Sequence, residues 1–333
     1  MSAEPPLFAT CRPRSFCRDF VEVRQSSTQL LMFMACVLGL KPLMDDWIPV
    51  GLLDDYRQMC RRHGLHVRAD VTKVLVSRAR AEARAMGGTT LSSTVAVGLP
   101  VGAGFPERAR ANVRTHVFLS RDRDLLRHGM WYPVIVKDRV LWPPYADILT
   151  YGRLLGYPDC CIRFFRQRND WSRFSFLAEI HRESRGAPRH WLCNPLTKDR
   201  TCSYIYHMPC RWDCPATRKL AGRLRSEVAL REPELVRQVD RHLRLPALVF
   251  YERKHFVFDG TLQGNRLTYR KVYYPDGDLT GQALLPRLAR GDALELEGDT
   301  VRVFRDGELV DRIQARSEGF APEHPFLIQF DRD

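Results

Sequence analysis

The chain has 333 residues, 44% of them hydrophobic and 27% charged, and a formal net charge of +13. This composition excludes disordered, collagen-like and repeat-array architectures, and the length suffices to bury a core without a metal staple, in two or three domains. Ten cysteines without an apolar leader point to reduced thiols, metal ligands or catalysis rather than a disulfide framework, and to a cytoplasmic protein.

The most apolar run, residues 30–40 (LLMFMACVLGL), is too short to span a bilayer and is followed by Lys41-Pro42, so no membrane insertion is expected. The positive charge is mainly arginine, in runs beginning at Arg78 (RARAEAR), Arg108 (RARANVR) and Arg218 (RKLAGRLR). Such an excess attracts a small anionic substrate or RNA, although arginine-rich helices with interspersed acids also serve as plain solvated faces. No RNP-type aromatic motif, zinc-finger spacing or helix-turn-helix signature accompanies it.

In chain order, helices are expected at 27–40 and at 52–64, the second ended by Gly64 after Arg61, Arg62 and His63. Short β-rich runs follow at 71–76, 94–97, 116–119 and 134–136. The stretch 97–105 (VGLPVGAGF) lacks the order of a phosphate loop and reads as a connection. Residues 145–245 read as helical with irregular cysteine-bearing connections, and 216–243 as two helices broken near Pro233. After Pro246 strand-like runs at 247–258, 266–273, 293–296, 300–304, 309–313 and 326–330 are separated by Gly-Asn, Gly-Asp and Asp-Gly pairs, the pattern of an antiparallel sheet or partial barrel. The expected class is α+β: a mixed α/β region over 1–144, a helical cysteine-bearing centre over 145–245 and an antiparallel β-domain over 246–333.

Six cysteines fall between Cys160 and Cys214, and two segments carry the chemistry. In the first, Gly156-Tyr157-Pro158-Asp159-Cys160-Cys161, proline favours a helix start, so both thiols occupy a first turn where the helix dipole favours thiolate. The second, His207-Met208-Pro209-Cys210-Arg211-Trp212-Asp213-Cys214-Pro215, repeats the device, with Arg211 beside Cys210 to stabilise negative charge. The candidate ligands are Cys160, Cys161, His207, Cys210 and Cys214; Cys161 is also a candidate nucleophile and His207 a candidate proton donor.

Four thiolates suit either zinc or an iron–sulfur cluster. Neighbouring side chains diverge, which disfavours both adjacent cysteines on one ion and leans towards a cluster. A local set of Cys193, Cys202, Cys210 and Cys214 is a competing zinc site, and reduced cysteines packed as small hydrophobes are the bland alternative. Isolated histidines (His116, His181, His190) read as satisfied packing residues. Asp159 and Asp213 read as helix-start residues before acid–base groups, and Tyr204, Tyr206 and Trp212 either wall the site or simply pack.

The paired motifs resemble the Gly-Tyr-Pro-x-Cys-Cys proteins of archaea and bacteria, grouped as domain-of-unknown-function family 483, over residue 151 to the C-terminus. The resemblance implies that the two segments form one site, and it supplies no reaction. The expected function is a metal- or cluster-dependent enzyme with redox or sulfur chemistry on a small or tRNA-linked substrate. The alternatives are a non-enzymatic zinc-stabilised RNA-binding module and a metal-free thiol or sulfur-transfer protein using Cys160 and Cys161.

Overall fold

The structure is a computed structural model that describes residues 11–76, 89–90, 96–99, 113–128, 134–136, 139–141, 148–167, 176–197, 202–251, 254–274, 279–314 and 325–331. The arginine run at 78–84, most of that at 108–114 and residues 100–105 of the glycine-bearing connection lie outside the described residues. The chain is α+β and groups into two compact units. One unit is Cys17–Ser26 with Met32–Ile162; the other is the remainder, and the boundary at 162/163 falls inside a single helix. The expected helical centre and β-domain fall mostly within that second unit.

In the first unit, helices α1 (Arg18–Arg24), α2 (Leu30–Val37) and α3 (Leu53–Arg62) accompany strands β1 (Met44–Pro49), β2 (His66–Val76), β3 (Thr89–Thr90), β4 (Ala96–Leu99) and β5 (Val113–Ser120). These strands form an antiparallel sheet in the order β1-β5-β2-β4-β3. Phe20 stacks on Phe33 with centroids 4.6 Å apart, and Tyr56 closes that cluster edge-on. Asp46, buried on β1, is satisfied by Arg24 at 3.0 Å and the Tyr56 hydroxyl at 3.1 Å. A buried carboxylate requires such partners, because burial alone pushes it towards the neutral acid.

A small hairpin, β6 (Val134–Val136) with β7 (Arg139–Leu141), precedes helix α4 (Ile148–Leu154) and then α5 (Asp159–Gln167). Helix α4 ends in a Schellman turn: Gly156, at φ 72°, donates to Arg153, and Tyr157 donates to Gly152, both at 2.9 Å. Gly152 is the close approach between the two helices, since a Cβ there would lie 2.7 Å from Ile162 Cγ1.

The second unit carries α6 (Phe176–Glu183), α7 (Pro215–Ala229), α8 (Pro233–Leu243) and a seven-stranded antiparallel sheet. The break between α7 and α8 falls at Pro233 as expected, and each helix has proline at its start. The sheet consists of β8 (Ala247–Tyr251), β9 (Lys254–Gln263), β10 (Arg266–Tyr273), β11 (Ala293–Glu297), β12 (Thr300–Arg305), β13 (Glu308–Gln314) and β14 (Phe326–Ile328), with helix α9 (Leu279–Leu288) between β10 and β11. Its order is β13-β12-β11-β10-β9-β8-β14, so consecutive strands pair as a meander and the last strand returns beside β8. The run expected over 247–258 is a hairpin, with Tyr251 opposite Lys254. Inward residues such as Phe256, Phe258, Leu267, Leu294, Val301 and Val303 build one continuous apolar core. Among the described residues no helix is long and apolar enough to cross a membrane.

Candidate metal centre

The first cysteine segment is shaped from behind. The Schellman turn ends α4, Pro158 accepts the first helical hydrogen bond from Ile162 at 3.0 Å, and α5 begins at Asp159. Cys160 and Cys161 therefore lie in the first turn of a helix, as expected, with their sulfurs 3.9 Å apart. Lys41 braces this turn from a distant part of the chain. Its ammonium donates to the Leu155 carbonyl, one of the orphan acceptors at the end of α4, and sits 4.6 Å above the Tyr157 ring. Burial pulls the Lys41 pKa down to about 8, against the opposing influence of Cys36 and Asp45.

The second segment leads into α7. Cys214 is the N-cap residue, Pro215 is at the first helical position, and Arg218 donates to the Cys214 carbonyl at 2.9 Å. The Cys214 sulfur makes no capping hydrogen bond. The loop is anchored by Trp212, whose amide donates to Ser184 Oγ at 2.8 Å and whose fully buried ring meets Phe330 edge-on at 5.4 Å. Trp212 is thus a packing residue. Arg211 donates to both carboxylate oxygens of Asp213, each at 2.9 Å, so that carboxylate is occupied by its neighbour's guanidinium. Asp159 is likewise taken by Arg153 at 2.9 Å.

The two segments converge: one sulfur from each of Cys160, Cys161, Cys210 and Cys214 lies within 4.8 Å of every other. Cys161 and Cys214 are buried, whereas Cys160 and Cys210 are half-buried. Four thiol groups at this spacing can hold a metal ion.

His207 is not one of this group. Its Nε2 shares a 2.9 Å hydrogen bond with Thr217 Oγ1, and both residues are buried. Nor are Cys193 and Cys202, the other members of the local cysteine set. Cys193 donates to the Cys214 carbonyl at 3.7 Å, and burial raises its pKa. Cys202 donates to the Ser27 carbonyl at 3.6 Å and is hydrogen-bonded to Cys11. That contact with Cys202, together with His242 at 3.6 Å and against the effect of burial, lowers the pKa of the Cys11 thiol.

The remaining candidates have other engagements. His116 pairs with Asp45 at 3.1 Å and stacks on Trp47; His181 stacks on Phe326; His190 accepts from the Leu192 amide at 3.2 Å. Tyr204 donates to Asp240 at 2.8 Å. The supporting residues Lys41, Ser184 and Thr217 carry no local motif, and only the spatial arrangement identifies them. Comparison with protein-family models, curated proteins and solved structures finds no match for this chain.

Proposed function

We propose that Cys160, Cys161, Cys210 and Cys214 bind one tetrahedral zinc ion that organises the cysteine-bearing loop, in a protein that acts as a zinc-stabilised binding module. The supporting observation is the sulfur spacing. Zinc–thiolate bonds of about 2.3 Å put tetrahedral sulfurs about 3.8 Å apart. The adjacent thiols lie at 3.9 Å, and the whole group fits within 4.8 Å. An iron–sulfur cluster divides its four thiolates between two or four irons and so spreads the set more widely than a single ion does. The objection that adjacent cysteines diverge loses force here, because in the first turn of α5 their sulfurs sit at the edge length of a tetrahedron.

A site closed by four protein ligands is the structural type, whereas catalytic zinc keeps a position for water or substrate. This favours the binding module over an enzyme in which Cys161 attacks substrate and His207 moves a proton. His207 serves as a support for the loop, through Thr217. The motif resemblance to the Gly-Tyr-Pro-x-Cys-Cys family agrees with one shared site. The basic charge, cytoplasmic setting and RNA partner belong to this same reading.

The test is anaerobic purification with metal analysis and a visible spectrum, on wild type and on the Cys160→Ala and Cys210→Ala variants. One zinc per chain in a colourless protein, lost from both variants, is the expected result. Iron with sulfide and a broad visible absorption would replace this reading with the cluster-dependent enzyme. Zinc retained in Cys160→Ala would move the metal to a different cysteine set, and no metal at all would leave the thiol-transfer alternative.

A further inference from the structure

A second feature lies in the unit that carries the large sheet, apart from the cysteine group. A cleft of about 760 Å³ opens between the end of α8 and strands β9 and β10, and Arg241, Arg244 and Arg270 line it with Asp259, Gly260 and Thr261. Each arginine is brought there by a distinct local device. Arg241 is in the last turn of α8 and Arg244 is its C-cap residue. Arg244 donates to the Asp240 carbonyl at 2.9 Å, and its guanidinium carbon lies over the Trp191 ring, 3.8 Å from the ring centre. Arg270 is the extra residue of a β-bulge, because Tyr269 pairs with Gly260 and Lys271 pairs with Asp259, leaving Arg270 opposite no partner.

Bulges re-aim side chains and are enriched beside functional sites. This one depends on Gly260, where a Cβ would meet the Thr268 carbonyl oxygen at 2.0 Å. Three arginines and two carboxylates, Asp259 and Asp292, line the cleft, which leaves a surplus of positive charge. Arg241 and Arg270 share a single carboxylate, Asp259, at 3.7 and 3.0 Å, so one negative charge faces two guanidiniums. The side chains of Arg241 and Arg270 are 63% and 81% exposed, so a ligand reaches them without any opening of the fold. Arginine's planar fork of donors matches phosphate oxygens, and a stacked arginine is already oriented for such a contact.

We propose that this cleft is a phosphate-binding subsite, taking a phosphate ester presented either by an RNA backbone or by a free nucleotide. Its open form and the surplus charge of the whole chain suit a polyanion strand running across the surface. The inference gives the binding module a location for its ligand, and it stands or falls independently of the metal.

The experiment compares wild type with the double variant Arg241→Gln/Arg270→Gln, using unfractionated tRNA and ATP as separate probes between 50 and 200 mM salt as an approximate working range. Both substituted side chains are exposed, so unchanged thermal unfolding and metal content are the controls. The expected result is loss of tRNA affinity by about tenfold or more, with a salt slope reduced by about two, one for each phosphate contact removed. Weakened ATP binding with tRNA unaffected would support the subsite and identify a free nucleotide as the source. Failure of wild type to bind either probe, or equal binding by the variant, would overturn the proposal while leaving the metal analysis untouched.

Discussion

Thr217→Val separates the two roles open to His207, support of the loop or ligation of the metal. The substitution keeps the side-chain shape and deletes the hydroxyl that shares the 2.9 Å hydrogen bond with His207 Nε2. His207 is 6% exposed and Thr217 0%, so water does not simply replace the lost partner. Deleting one member of a buried polar pair costs the bond and strands the other member, about 1–3 kcal/mol. Urea unfolding of metal-loaded protein, with zinc measured on the same samples, is the assay. A lower midpoint with unchanged zinc stoichiometry is expected, and Thr217→Ser, which restores a hydroxyl, should recover most of the loss. Zinc lost from Thr217→Val, with the metal-free protein as stable as wild type, would refute the reasoning and return His207 to the ligand set.

Three further outcomes follow from the same geometry. Cys193→Ala should retain full zinc and lose about 1 kcal/mol of stability through lost packing, because Cys193 touches the backbone of Cys214 and is not in the four-sulfur group; metal loss there would revive the local cysteine set. Glu232 accepts the amides of Arg14, Ser15 and Phe16 at 2.7, 2.8 and 2.6 Å, and although burial pushes its carboxyl up, these bonds together hold it below the usual range. The stabilisation is therefore present above the unfolded pKa of about 4.3 and fades as pH falls through the lower folded value. Glu232→Gln should cost about 1.5–3 kcal/mol at neutral pH in urea unfolding, and the gap from wild type should close in acid; a constant gap would contradict the charge-assisted reading. Gly152→Ala gains about 1 kcal/mol of helix propensity but overpacks against Ile162 at about 1–3 kcal/mol, so it should be neutral to destabilising and weaken zinc retention at the adjacent Cys161. A more stable, fully metallated variant would show that the helices do not need this approach.

The sequence disclosed what local chemistry dictates. Proline before the cysteine pair and after Cys214 marked two helix starts, Pro233 marked the break between α7 and α8, and alternating residues with Gly-Asn and Asp-Gly pairs marked the strands after 246. Among the elements that escaped, two did so because their local signals point elsewhere. Strand β1 carries Asp45 and Asp46, poor strand formers whose burial depends on His116, Arg24 and Tyr56 arriving from other elements. Helix α9 holds a glycine and Pro286, so propensity argued against it, yet Leu284, Leu285 and Leu288 pack onto the sheet. The helix expected over 27–40 is shorter, Leu30–Val37, and the chain turns away from it at Gly39 with φ 70°. In the metal site the residue types were legible but their number was not. No spacing rule shows that Cys193 turns to a backbone carbonyl, or that Lys41 caps α4 from more than a hundred residues away.

Asp240 ties together three pieces of chain around the arginine cleft. One of its carboxylate oxygens accepts the Tyr204 hydroxyl at 2.8 Å, from the segment that leads to His207 and Cys210. The other accepts Arg225 at 2.7 Å, from the helix that Cys214 caps, and its carbonyl accepts Arg244, which lines the cleft. Tyr204 is buried, and its pKa is raised by that burial and then by the Asp240 charge, so it remains a neutral donor. Each partner of Asp240 is positioned by a different piece of chain. A chain this long has no need of zinc to fold, so zinc bound as proposed would act on the loop that precedes α7 rather than on the core.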